Sequence, residues 1–270
     1  MSTMDTSNLT IETLRQMFEQ GKRFDGRSLK DYRPITVEHN VSNKAEGSTR
    51  VRIGKTEVLA GVKLQVGAPY PDSKDKGNLM VSGDLLPLAS PRFESGPPGF
   101  NAIELPRLVD RAIRESGMID FKKLVITGEK VWTVIIDVFP INDDGNLIDA
   151  ATIAASVALK DATFPGLDKD NNVDYHIKTQ NKLPLSKETF PVSISFYKLG
   201  SSLFLDPTRE EEEAAEARIT FGISLWNGQN MINSCQKRGA KPLSRAEVES
   251  MMPILLEKQI YLNEKLKKFL

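Results

Sequence analysis

Arg107, Arg111 and Arg114 stand at i, i+4 and i+7, a spacing that gathers three guanidinium groups along one side of a helix. A guanidinium keeps its charge at any working pH and can grip two phosphate oxygens at once, so such a stripe suits a nucleic-acid backbone. A merely solvated helix face has the same pattern. Glu104, Asp110 and Glu115 flank the stripe and can pair with the arginines at i+3 or i+4. On spacing alone the solvated reading is the stronger one.

Other chemistry has few carriers. The chain has two histidines, His39 and His176, and one cysteine, Cys235. That leaves no intrachain disulfide, no zinc-ligand cluster and little imidazole chemistry, so no metal and no cofactor is expected. The acidic run Glu210 to Glu213 could be imagined as a metal site, but consecutive glutamates on a short helix point in different directions and are expected to face solvent. Trp132, in an apolar strand, reads as core, whereas Trp226, before Asn227-Gly228, reads as a turn residue of open role. Lys265, Lys267 and Lys268 read as a solubilising helix face. Lys plus Arg equals Asp plus Glu at 36 each, so a polyanion can be attracted only by a local patch.

Those residues need elements to hold them. With 40% hydrophobic and 27% charged residues in 270, the chain is long enough for one large or two small cores. No apolar run approaches the roughly 20 residues of a membrane span, and Met1 to Thr10 carries no basic stretch followed by an apolar core, so a cytoplasmic protein without membrane contact is expected. Thr10 can cap a helix carrying Ile11, Leu14, Met17 and Phe18, which Gly21 would end. Strand character follows at Ile35 to Glu38, Thr49 to Ile53 and Glu57 to Leu64, the last two joined through Gly54-Lys55 as a hairpin. Asn78 to Leu88 reads as a strand, Ser90 to Phe100 as irregular, and Ala102 to Ser116 as an amphipathic helix with Leu105, Leu108, Val109, Ala112 and Ile113 on its apolar face. Leu124 to Ile126 and Val131 to Phe139 read as strands. Ala150 to Leu159, apolar all round, reads as a buried helix. Gly166 to Lys187 is polar and weakly patterned, a long connection. Strands are expected again at Pro191 to Tyr197, Leu203 to Leu205, Arg218 to Leu225 and Met231 to Gln236. A capping box at Ser244 and Glu247 then opens a helix running to Leu270 and disturbed at Pro253. The order is that of an α+β protein with two related halves.

Several segments coincide with one family. Arg23-Phe24-Asp25-Gly26-Arg27 with Tyr32-Arg33-Pro34, and Glu46-Gly47-Ser48 followed by Gly54-Lys55-Thr56-Glu57-Val58, resemble the opening signature and first hairpin of the RNase PH-like proteins. These proteins form the hexameric rings of bacterial RNase PH, polynucleotide phosphorylase and the exosome core. Leu85-Leu86-Pro87-Leu88-Ala89, Glu94-Ser95-Gly96-Pro97-Pro98, Val109-Asp110-Arg111-Ala112-Ile113-Arg114 and Leu205-Asp206-Pro207-Thr208 are similar to the branch of non-catalytic ring subunits in the archaeal exosome. The resemblance covers nearly the whole chain. It implies an RNase PH-like fold of the ribosomal protein S5 domain 2-like type, with two related βα halves. Residues 1–30 would form an N-terminal helix and extension, 31–166 the first half, 167–188 a connection, and 189–270 the second half with its C-terminal helix.

The same resemblance implies what the chain cannot do. Active members bind the attacking phosphate at a turn that opens the buried central helix, with a hydroxyl and a guanidinium; here that stretch reads Gly145-Asn146-Leu147-Ile148, and Leu147 and Ile148 offer aliphatic groups instead. Active members also carry an aspartate, acting as a general acid or positioning a metal, at a strand start where Arg218 stands here. Arg107 and Arg111, and less firmly Arg114, would contact RNA phosphates. The implied role is a non-catalytic exosome subunit that helps a catalytic paralogue degrade RNA 3′→5′ by phosphorolysis. The two would alternate in a three-plus-three heterohexameric ring under RNA-binding cap proteins. An active phosphorolytic exoribonuclease, or a purely structural ring subunit without RNA contact, are the alternatives.

Overall fold

The computed structural model describes residues 6–267. Met1 to Asp5 and Lys268 to Leu270, including the expected end of the last helix, lie outside the described residues.

The first helix, α1 (Asn8–Glu19), begins three residues earlier than its sequence suggests. Ser7 is the cap, its hydroxyl accepting from the Thr10 amide at 3.1 Å, and Thr10 sits inside the helix. Gly21 follows the end with φ +69°, the left-handed geometry that stops a helix. Leu14 and Phe18 bury their side chains with Tyr197, Leu199 and Phe204 in a small satellite core.

The larger core lies between two sheets. The first sheet has the order β1-β2-β3-β5-β4, formed by β1 (Ile35–His39), β2 (Gly47–Ile53), β3 (Thr56–Gly67), β4 (Asn78–Gly83) and β5 (Val131–Asn142). The strand expected to reach Leu88 therefore stops at Gly83. At that end β4 lies close on β5, and a Cβ on Gly83 would stand 2.5 Å from the Val138 carbonyl. β4 runs parallel to β5, so the chain must cross between them, and α2 (Phe100–Arg114) is that crossover. Leu124 to Ile126 is not a strand. A 3₁₀ turn over Phe121–Leu124 ends in a single bridge from Val125 to Val131.

The second sheet has the order β11-β10-β8-β9, from β8 (Val192–Leu199), β9 (Ser202–Leu205), β10 (Ala217–Trp226) and β11 (Gln229–Arg238), with a short helix, α4 (Arg209–Ala214), between β9 and β10. Helix α3 (Leu147–Asp161) lies between the sheets, against β2 and β3 on one side and β8 on the other. Its alanines permit the approach: a Cβ on Gly47 would come within 2.2 Å of the Ala158 carbonyl. On the opposite side small polar residues meet it, with Thr152 bonded to Ser193 at 2.8 Å. Next to β8, β10, read as alternating, is buried on both faces from Ala217 through Ser224.

Gly166 to Lys187, read as a long connection, carries ordered structure: β6 (Thr163–Leu167) and β7 (Val173–Lys182) pair as an irregular hairpin. The last helix, α5 (Arg245–Leu266), opens on the expected capping box, Ser244 and Glu247 exchanging bonds of 2.7 and 3.2 Å, but continues through Pro253. Pro253 and Glu249, whose carbonyl loses its donor, are both on the exposed side. Among the described residues no helix is long and apolar enough to cross a membrane.

Candidate functional site

A cleft of about 440 Å³ opens where α2, α3 and the second sheet meet. Leu147, Ile148 and Arg218, more than 70 positions apart at the extremes, all line it. The floor is built by the turn before α3. Asn146 takes φ +59°, and Gly145 takes φ +82° with backbone atoms of Pro207 and Thr208 where a Cβ would be. The Gly145 carbonyl accepts from Thr56 Oγ1 at 2.6 Å and Arg33 Nη2 at 3.2 Å. From this turn Leu147 and Ile148, both nearly buried, present aliphatic surface at the helix N-terminus. Asp149, the one acid in that first turn, is turned away from the cleft. It accepts from Tyr32 Oη and Ser195 Oγ, each at 2.8 Å, and complete burial pushes its carboxyl up to about 7.

The turn itself hangs on one buried carboxylate. Asp206, fully buried with φ +44°, accepts from the Arg33 amide at 2.7 Å, Arg33 Nε at 2.9 Å, Arg33 Nη2 at 2.8 Å, Arg27 Nη1 at 3.0 Å and Asn146 Nδ2 at 2.8 Å. Arg23 closes the neighbouring pair with Glu211 and donates to the carbonyls of Leu205 and Asp206 at 2.9 and 2.8 Å. The arginines of the Arg23 to Arg33 signature thus serve to join the first half to the second.

Every guanidinium in the cleft is answered by carboxylate. Arg92 donates to Asp143 at 2.8 Å, Glu212 at 3.2 Å and Glu213 at 3.3 Å. Arg218 Nη2 and Arg238 Nη1 each donate to one oxygen of Glu104 at 2.7 Å. Tyr197 Oη donates to Glu212 at 2.7 Å, and burial with that carboxylate holds the phenol well above its usual range, so it stays a donor. The acidic run is therefore not the solvated face its spacing suggests: Glu211 is buried on Arg23, Glu212 and Glu213 hold Arg92, and Glu210 alone is exposed. No group of three or more acidic, histidine or cysteine side chains fit to hold a metal is found among the described residues.

The arginine stripe lies along α2, leading away from the cleft. Asn101, Glu104 and Leu105 line the cleft, Arg107 stands one turn beyond Glu104, and Arg111 another turn on; both arginines are exposed. Arg114 is more committed, with Nε on Asp110 at 3.0 Å and Nη2 on the Leu79 carbonyl at 2.9 Å. Arg111 has a loose pair with Glu115 at 3.6 Å. Among the described residues Arg107 has no ion-pair partner. The i+3 pairing open to Glu104 is not made, because both its oxygens are taken by Arg218 and Arg238. Spacing revealed none of Glu104, Arg92 or Arg238 as cleft residues, since their partners are more than 40 positions away. Trp132 packs on Phe164 in the core, and Trp226 lies half exposed over Gly117, whose Cβ would stand 2.3 Å from the indole.

Residues 31–165 match domain 1 and residues 189–254 match domain 2 of the 3′ exoribonuclease family, RNase PH. The exosome complex component Rrp42 of Methanosarcina acetivorans is 47% identical over 253 residues, 93% of this chain and 91% of that one. The protein of the same description from Methanothermobacter thermautotrophicus is 40% identical, over 96% of this chain and 95% of its own. Among solved structures, a chain of the Archaeoglobus fulgidus exosome with RNA bound to the active site superposes with a TM-score of 0.84 at 36% identity, covering 96% of this chain and 100% of that one. A chain of an archaeal exosome core gives 0.82 at 33% identity, over 96% and 97%. With two domains matched in order and such relatives along nearly its whole length, the chain belongs to the RNase PH family of 3′ exoribonuclease proteins.

Proposed function

We propose that this chain is a non-catalytic exosome subunit. It alternates with a catalytic RNase PH-like paralogue in a three-plus-three ring under RNA-binding cap proteins, acts in the cytoplasm, and supplies RNA contacts while the paralogue performs phosphorolysis. In that reaction inorganic phosphate attacks the 3′-terminal linkage and a nucleoside diphosphate leaves. Residues 31–166 and 189–270 would be its two RNase PH-like halves.

One observation carries the reading. Leu147, Ile148 and Arg218, at the positions that would hold phosphate and the acid, share a single cleft, and that cleft has aliphatic groups and paired charges where the chemistry needs an anion site and a free carboxylate. The exposed cations are found on α2 instead. Arg107 and Arg111 are the RNA contacts, and Arg114, whose Nη1 is left over from its bonds to Asp110 and Leu79, adds a weaker one.

The test uses the assembled ring and its R107A/R111A variant, with each subunit alone as control. The chain alone should release no nucleoside diphosphate, and activity should appear on adding the paralogue. Each lost charge-assisted contact costs about 1.5–3 kcal/mol, so the double variant should bind single-stranded RNA more than about tenfold more weakly. Its dependence of log Kd on log salt should fall by about 0.7 unit per lost phosphate contact, with no dependence on base sequence. Binding equal to the parent at every salt concentration would instead assign the stripe to solvation and the chain to a structural role. Phosphorolysis by the purified chain alone would assign it an active site.

A further inference from the structure

We propose that Glu104 is a positioning residue for RNA: by clamping Arg218 and Arg238 it fixes the first turns of α2, and with them the places of Arg107 and Arg111. This inference rests on the reading of those two arginines as phosphate contacts.

The start of α2 has little of its own to hold it. It follows a stretch with three prolines and two glycines between residues 91 and 99. Gly99 at the cap makes no side-chain bond, and the first turn has no acidic residue to favour the helix dipole. Pro106, inside the helix, removes the amide that the Ala102 carbonyl would use. Two turns with neither a cap nor a complete ladder fray unless tertiary contacts hold them.

Glu104 is that contact. Its two oxygens take Arg218 Nη2 and Arg238 Nη1 at 2.7 Å each, with the Glu104 and Arg218 side chains only 18% and 10% exposed, so water screens the pair weakly. Arg218 and Arg238 face each other directly across β10 and β11. Like charges in that register repel, and a carboxylate between them turns the repulsion into a three-centre attraction. The Arg238 guanidinium also lies 4.8 Å from the ring centroid of Phe100, the first residue of the helix. At the far end Arg114 pins the helix to the Leu79 carbonyl on β4. Arg107 and Arg111 stand between these two pins, and neither has a firm partner among the described residues.

The experiment is a double-mutant cycle in the ring assembled with its catalytic paralogue, using E104Q, R107A/R111A and their combination. E104Q should weaken binding of single-stranded RNA roughly three- to tenfold, in the lower part of the roughly two- to 150-fold span of couplings between neighbours. It should also flatten the salt dependence and raise KM for RNA with kcat little changed. In the R107A/R111A background it should have no further effect on binding. R218M should behave like E104Q, and R218K should restore part of the loss. Three results would overturn the inference while leaving the RNA-contact reading intact: a lowered Tm with affinity and salt slope unchanged, tighter binding because Arg238 has been freed, or an equal loss in the R107A/R111A background. An R107A/R111A ring that binds like the parent would sink both. Should the E104Q ring not assemble, R238M, which breaks the more exposed half of the clamp, must give the same loss in the parent and none in the R107A/R111A background, and any other pattern refutes the role.

Discussion

Changing Asp206 to Asn tests whether one buried carboxylate joins the two halves. Oδ2 receives three donors, from Arg27 Nη1, the Arg33 amide and Arg33 Nε, and Oδ1 receives two, from Arg33 Nη2 and Asn146 Nδ2. Either flip of an amide therefore brings an NH2 group against existing donors, and no rotation relieves it. Asn accepts the left-handed backbone at φ +44°, so this variant isolates charge from strain. Removing one partner of a buried ion pair costs about 3–5 kcal/mol. At about 2–4 °C per kcal/mol for a chain near this size, the melting temperature should fall by roughly 6–20 °C. Urea titration followed by circular dichroism reads the free energy, and near-equal m values in parent and variant validate the comparison. A loss below about 1 kcal/mol, the ordinary effect of a surface change, would refute the argument that Asp206 carries this junction.

Three further outcomes are expected. Asp149 is protonated in the folded chain up to about 7 but ionises at its usual 3.8 when unfolded, so the stability it contributes is fully present below pH 4 and lost as pH rises to about 7, on the order of 4 kcal/mol by linkage; D149N should abolish that slope in urea titrations across the window, and an unchanged slope would contradict it. G47A places a methyl 2.2 Å from the Ala158 carbonyl and 2.8 Å from the Ala162 amide, both backbone, and should destabilise by about 2–3 kcal/mol or more in thermal melts; a neutral result would mean that α3 does not lie as close as described. R218D alone should yield no nucleoside diphosphate from the isolated chain, because Leu147 and Ile148 still offer no anion site; turnover by that variant would overturn the reading of the cleft.

Local features were legible where local physics governs them. The apolar spacing of Leu105, Leu108, Val109, Ala112 and Ile113 marks α2, and Ser244 with Glu247 marks the start of α5, because periodicity and capping act within a few residues. What the sequence hid depends on partners far along the chain. Glu104 has an arginine at i+3, yet its bonds go to strands 114 and 134 positions away. The glutamates after Arg209 look solvated by local rules, yet Arg23, Arg92 and Tyr197 draw three of them inward. The hairpin of β6 and β7 was hidden for another reason. Its residues are mostly polar and its register shifts twice, so it has no clean alternation; Phe164 on Trp132 and the Tyr175 hydroxyl on the Leu64 carbonyl attach it to the body.

The inertness of the cleft follows from its charges as well as from its missing groups. Arg92, Arg218 and Arg238 are matched by Glu104, Asp143, Glu212 and Glu213, a formal surplus of one negative charge, before any anion enters. A phosphate seeking a guanidinium there competes with a carboxylate already bonded to it. Breaking such a shielded pair costs about 3–5 kcal/mol, whereas a charge-assisted bond to phosphate returns about 1.5–3 kcal/mol. The exchange is unfavourable at Arg92 and Arg218, whereas Arg238, 40% exposed, is held less firmly. On the outer side of α2 the balance reverses, since Arg107 has no ion-pair partner among the described residues and Arg111 only a 3.6 Å pair in open solvent, worth about 0–1 kcal/mol. On the proposed reading, the same charge accounting that disfavours phosphate in the cleft favours an RNA backbone on the helix beside it, without any appeal to the net charge of the chain.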